Sequence, residues 1–275
     1  MILTPMRRYG AMIMMFLTLV FSGEVLAKTH EKTANHKAHV TKAISKKQAS
    51  SKQEYSRNSA KSSSLPDLRK YPSGTPRKKA FLRTVMPYIT NQNAAITAER
   101  NWLIKKQYDG RWSPSERTRL KDIAKRYKVG WSGNTRRIPW NTLLDRVDII
   151  PDSMVATMAA AESGWGTSKL ARNNNNLFGM KCAKGRCNNG PGKVKGYSHF
   201  DSVKESVNAY VVNLNTHPAY ASFRKSRAQL RKADQEVTAS NMIHKLKGYS
   251  TQGQRYNNYL FAMYQDNQRL IAAHM

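Results

Sequence analysis

The chain has 275 residues, with 47 Lys and Arg against 17 Asp and Glu, a formal net charge of +30 and two cysteines. A hydrophobic fraction of 40% and five tryptophans exclude a wholly disordered or fibrous chain, and two cysteines are too few for a disulfide-stapled miniature scaffold. The charge implies an anionic environment, but it would suit nucleic acid, anionic lipid or an acidic polymer equally well.

The chain opens with Arg7 and Arg8, an apolar run from Ala11 to Phe21, and a less hydrophobic stretch ending at Val25-Leu26-Ala27. This pattern predicts a signal peptide over residues 1–27, exported and cleaved after Ala27. An uncleaved membrane anchor is the alternative, although the run falls short of the ~20 apolar residues that span a bilayer. Export to the periplasm places the anionic partner in the cell envelope and argues against nucleic acid. A monomer is expected, touching the membrane only if the signal segment stays attached. From Lys28 to about Ser64 the composition is Lys, Ala, Ser, His and Thr with almost no large apolar side chain, which predicts a disordered basic tether. Pro66, Pro72, Gly74 and Pro76 then mark a linker, so that residues 28–76 together precede a folded part beginning near Arg77.

Helical spacing dominates from there. Phe81, Leu82, Val85, Tyr88 and Ile89 share a face, and after a polar break at Asn91 to Asn93 so do Ile96, Leu103 and Ile104, which predicts two helices. Ser113-Pro114 with Glu116 opens another helix through Tyr127, and a further one runs from about Trp140 to Val147. Residues 77–148 are thus expected to form a helical N-terminal region packed on a domain spanning 149–275. After Pro151, with Asp152 as a natural cap, Met154, Val155, Met158, Ala159 and Ala161 make a helix that is apolar almost all round. Glu162 sits at its end, just before Ser163-Gly164-Trp165-Gly166. A carboxyl at a helix C-terminus in apolar surroundings should have a raised pKa, as a general acid requires.

Cys182 and Cys187 flank a short loop with Gly185 and, in an oxidising compartment, predict one disulfide. No set of ligands at metal-binding spacing accompanies them, so no metal and no cofactor are expected. The glycine-rich stretch to about Phe200 lacks helical periodicity and suits a small β-hairpin lobe. Val203, Val207, Tyr210, Val211 and Leu214 then restore a helix, followed by helices over Ala233 to Leu246 and Asn258 to Ala273 around a turn at Lys247 to Gly253.

Acids are scarce, so candidates for acid and base work are few. Ser202-Val-Lys-Glu205 reads as a capping box, which leaves Asp201 as the other candidate beside Glu162. Met158-Ala-Ala-Ala-Glu162-Ser-Gly-Trp-Gly166 followed by Asn175-Asn-Leu-Phe-Gly-Met-Lys181 resembles the signature of the glucosaminidase family, glycoside hydrolase family 73, over about Ile149 to Ala273. The resemblance implies a mainly α, lysozyme-like helical catalytic domain with a small hairpin lobe. It also implies a glycoside hydrolase rather than an amidase, cutting the β-1,4 bond after N-acetylglucosamine in peptidoglycan with Glu162 as general acid. Tyr249-Ser-Thr-Gln-Gly253 matches the family's second motif, departing from it at Gln252 and Gly253, so Tyr249 inherits an active-site role, with Tyr256 the second tyrosine. Trp165, Asn175, Asn176, Phe178 and Tyr256 are expected to line the sugar cleft. The second catalytic group stays open: Asp201 or Glu205 activating water, or the substrate's own 2-acetamido oxygen with Tyr249 orienting the ring. A lytic transglycosylase and a noncatalytic peptidoglycan-binding protein are the rival readings.

Overall fold

The computed structural model describes residues 64–182, 187 and 190–275. The segment expected to be a signal peptide and the tether up to residue 63 lie outside the described residues. Residues 64–76, expected to be linker, are docked. Asp67 caps a single 3₁₀ turn, Leu68–Lys70, and the Leu65 amide donates to Asn175 Oδ1 at 3.0 Å. Leu65 and Leu68 are buried. Pro66 and Pro72 confine regular structure ahead of Thr75 to that one turn, but the two leucines still bury apolar surface, and that fixes the segment.

Helix α1, Thr75–Asp109, starts with Pro76 in its first turn and ends at Gly110 in the left-handed region. It runs unbroken through Pro87 and Asn91 to Asn93, where the sequence predicts a break. The buried row Phe81, Val85, Ile89, Asn93, Ile96 and Leu103 keeps helical register across the polar patch. Asn93 occupies an inward position because its amide has work there: it donates to the Ile150 carbonyl at 2.6 Å and to the Asp152 carboxylate. Tertiary packing overrides the local helix preference and the hydrogen bond lost at Pro87.

Helix α2, Pro114–Arg126, has the Ser113 and Glu116 capping box in full, and α3 covers Trp140–Arg146. Helix α4, Asp152–Ser163, is buried continuously from Met154 to Ala160. It begins after Pro151 with no side-chain cap, since Asp152 already lies inside the helix and engages Asn93. Helices α5 (Lys169–Asn174), α6 (Val203–Thr216), α7 (Ala221–Lys232), α8 (Ala239–Met242) and α9 (Gln254–Ala272) complete the fold. Helix α4 is the axis, packed between α1 and α9, and α1 also packs along α6.

Helix α7 is not predicted by the sequence pattern. Its inner face is Phe223, Arg224 and Arg227, two cations where apolar residues would announce a helix. Arg227 is 1% exposed and donates to the carbonyls of Asp145, Asp148 and Ile149 and to Asn215 Oδ1. Burial pulls its guanidinium down to about 10, against the attraction of Asp148. The Asp148 carboxylate, 2% exposed, also receives two bonds from Arg231 at 3.0 and 3.2 Å and lies 3.6 Å from Arg100 of α1. One buried acid thus ties α1, α7 and the loop before α4 together. The sequence pattern instead predicts helix over Ala233 to Leu246, which begins only at Ala239 because the chain turns at Asp234, whose φ is 53°.

Among the described residues of the expected hairpin lobe there is one antiparallel bridge, Lys181 with Tyr197, supported by Ser198 donating to the Met180 carbonyl at 2.9 Å, while residues 183–186, 188 and 189 lie outside the described residues. No strand forms among the described residues. Pro191 lacks a donor, and Gly192 and Gly196 adopt positive φ, so a ladder cannot extend. Cys182 and Cys187 are joined in a disulfide. Among the described residues no helix is long and apolar enough to cross a membrane.

Candidate active site

Glu162 occupies the last turn of α4, and the way that helix ends determines what the carboxyl faces. Gly164, Trp165 and Gly166 take φ values of 57°, 55° and 78°, three consecutive left-handed residues that reverse the chain. Ser163 braces the reversal, its hydroxyl accepting the Gly166 amide at 2.8 Å. A Cβ at Gly166 would stand 2.6 Å from the Leu68 side chain and 3.1 Å from Phe81, so glycine is required by close approach as well as by conformation. The docked N-terminal segment therefore presses on the back of the same motif that presents Glu162 at the front.

That front is a cleft of about 740 Å³. Phe178, Gly179, Met180 and Lys181 line it together with Tyr210, Asn213, His217 and Tyr220 and with Tyr249 and Tyr256. Glu162 is its one carboxylate among the described residues. Its Oε1 accepts a hydrogen bond from the Tyr256 hydroxyl, and its Oε2 lies 3.5 Å from where a Gly179 Cβ would be. Tyr249 stacks on Tyr256 with ring centroids 5.6 Å apart and meets Tyr210 edge-on at 6.5 Å. Phe178 lies flat on Tyr210 at 3.9 Å.

At Glu162 the electrostatics follow from burial with no ion pair to it among the described residues. Desolvation raises the Glu162 carboxyl above its ordinary value, opposed by the Tyr256 hydrogen bond, which favours the ionised form. Burial likewise raises the phenols of Tyr249 and Tyr256, with the Glu162 charge adding to it, so both stay protonated donors. The site can hold a proton near neutral pH, receive it back on a stabilised carboxylate, and bind flat, partly apolar rings along a tyrosine wall.

Of the residues expected from the sequence, the fold brings Glu162, Phe178, Tyr249 and Tyr256 together. Five others go elsewhere. Asp201 points into solvent, its side chain 94% exposed and 3.7 Å from His199, and does not line the cleft. Trp165 packs edge-on against Phe81, with Lys78 over its ring. Asn175 is buried between the Leu65 amide and the Phe200 carbonyl. Asn176 donates to the carbonyls of Met180 and Ser198 and accepts from the Phe178 and Met180 amides. These amides are consumed in shaping the loop that carries Phe178, leaving none for a sugar. Glu205 accepts the Asp201 amide at 2.9 Å while Ser202 caps the helix, a structural role one residue removed from the expected box.

Tyr210, Asn213, His217 and Tyr220 are missed by the sequence reading. Tyr210 falls on the apolar face of a helix, where a phenol passes for core. The signal available was chemical: a tyrosine on such a face brings a hydroxyl that needs a partner.

The family model described as mannosyl-glycoprotein endo-beta-N-acetylglucosaminidase, the glucosaminidase family, matches residues 139–269. The chain is 87% identical to protein bax of Escherichia coli (strain K12), over 275 residues and 100% of both chains. No solved structure matches it.

Proposed function

The chain belongs to the glucosaminidase family, and from that premise we propose that it is an exported endo-β-N-acetylglucosaminidase of peptidoglycan with Glu162 as its general acid. The observation that carries the proposal is the isolation of that carboxyl. It is the cleft's one acid among the described residues, raised by burial and held by a phenol.

Cleaving a glycosidic bond needs a proton for the leaving oxygen and support for positive charge on the ring. Glu162 gives the proton, and Tyr256 stabilises the carboxylate left behind. Among the described residues no second carboxylate lines the cleft, since Asp201 faces solvent and Glu205 is engaged at a helix start. The substrate's own 2-acetamido oxygen fills that place: it attacks the anomeric carbon as the leaving oxygen departs, forming an oxazolinium ring. The Glu162 carboxylate then takes a proton from water as that water opens the ring, which restores the acid and yields a reducing N-acetylglucosamine end. Tyr249, beside the acid, orients the acetamido side of the ring.

Peptidoglycan suits the charge. Its strands carry peptides with free carboxylates, and a chain of +30 is retained on such a polymer, less so at high salt. The disulfide is consistent with an exported protein.

The test is digestion of purified sacculi with mass spectrometry of the products. Reducing N-acetylglucosamine ends are expected from the wild type, with Glu162→Gln slower by about a thousandfold. Ends in 1,6-anhydro-N-acetylmuramic acid would instead identify a lytic transglycosylase. Equal digestion by the variant would remove Glu162 from the mechanism.

A further inference from the structure

Two loops meet at Glu162. One is the reversal Gly164 to Gly166 that ends its helix, and the other runs from Asn175 to Gly179, where a Cβ on the glycine would stand 3.5 Å from its Oε2. Each loop holds a non-glycine residue in the left-handed region, Trp165 at φ 55° and Asn175 at φ 50°. Such backbone is strained and persists where its surroundings over-determine it. Much of that surrounding comes from one stretch of chain, residues 65–81. The Leu65 amide donates to Asn175 Oδ1 at 3.0 Å, and Phe81 and Lys78 of α1 flank the Trp165 ring. Leu65 and Leu68 press on Gly166, their side chains 3.3 and 2.6 Å from where its Cβ would be. Of residues 64–74 these two leucines alone are buried, so the segment is a strap held by the same side chains that reach the site's loops.

We infer that Leu65 and Leu68 are positioning residues for the reaction, clamping both loops from behind and so fixing where the Glu162 carboxyl stands; this rests on the glycosidase reading above. Both lie outside residues 139–269, the span the family model matches, so the family signature assigns them no part. Their effect passes through packing. Without the bulk of Leu68 a void opens behind Gly166, and the strained turn gains room to relax, carrying the helix end with it. The carboxyl one turn earlier then meets more water. Its neighbours keep their state: the phenols of Tyr249, in the turn before α9, and Tyr256, in the first turn of α9, stay protonated. Lys181 and His217 line the same cleft and form no ion pair with Glu162 among the described residues. Loss of burial is therefore the change the acid feels. The 3₁₀ turn also packs on α1, so a purely structural role is the outcome the experiment must separate.

The experiment compares Leu68→Ala with the volume-conserving Leu68→Met in the full chain, at a temperature where circular dichroism shows both folded. Turnover of soluble glycan strands should show kcat of Leu68→Ala down about 10- to 100-fold with KM within about twofold, and Leu68→Met close to the wild type. Carbon-13 NMR of the Glu162 carboxyl, assigned by its absence in Glu162→Gln, should show the titration midpoint moved down toward the ordinary carboxylate value in Leu68→Ala and unmoved in Leu68→Met. A purely structural role would lower the melting temperature and leave both readings where they are. Should Leu68→Ala not fold, Leu68→Val opens a smaller void and is read in the same two ways, with smaller changes in the same directions. An unmoved midpoint, or a kcat within about twofold of the wild type in a protein that cuts, overturns the inference. A wild type that cuts no glycan sinks the glycosidase reading, and the midpoint alone then decides the strap.

Discussion

Asp148 and Glu162 are acids on either side of the start and end of α4, and the fold treats them in opposite ways. Asp148 is 2% exposed and meets guanidinium groups from Arg100, Arg227 and Arg231. Glu162 is partly buried against a phenol and a glycine backbone, with no ion pair among the described residues. The contrast shows that a carboxylate's role is set by whether cations follow it inward. Where they do, the group fastens helices to one another. Where they do not, burial raises its pKa, which is the condition the proposed general acid needs.

The sharpest way to break this comparison is to neutralise each acid in turn and measure stability by urea unfolding. Asp148→Asn leaves three cations facing an amide and should cost about 3–5 kcal/mol. Glu162→Gln should cost nothing, and the sign can be followed with pH. The folded state raises the Glu162 pKa above the ordinary 4.5, so it binds the proton more tightly than the unfolded chain does. The wild type therefore carries no penalty below that value and loses stability as pH rises through the folded value. The variant should gain on the wild type as pH rises above the ordinary carboxylate value and keep that gain at higher pH, and a loss there would end the contrast.

Tyr256→Phe addresses the one hydrogen bond that favours the ionised form of Glu162. Its removal should raise the carboxyl further and shift the alkaline limb of the kcat/KM profile to higher pH, with the rate at the optimum down about tenfold. An unmoved limb would show that the bond does not act on the titrating group. The smallest effect is expected at Asp201, which has neither a cation nor burial. Asp201→Asn should leave sacculus digestion within about twofold, whereas a large loss would restore it as the second catalytic group.

Much of the helical plan was legible because apolar periodicity and caps are local. Ser113 with Glu116 and the all-apolar α4 are read directly from spacing. What escaped reading depended on partners distant in the chain. Asn93 looks like a breaker until Ile150 and Asp152 are seen to receive its amide. Helix α7 hides because its inward face is arginine, which makes sense only once Asp148 is known to lie beneath. At the site, the sequence points to Glu162 and the Tyr249 segment, since both lie in contiguous motifs. It misassigns Asn175 and Asn176 because an asparagine free to hold a sugar and one spent on loop carbonyls look alike in one dimension.

The Gly166 crossing constrains any attempt to graft this glucosaminidase-family domain. The family match begins at residue 139, yet Leu65, Leu68 and Phe81 press on the glycine behind the acid, and Arg100 reaches Asp148 from the same stretch. Lifting the matched portion out as a cassette would open an apolar wound behind the glutamate and strand part of a buried charge cluster. The folding unit is thus longer than the family signature, and any transplant must carry the chain from Leu65 onward.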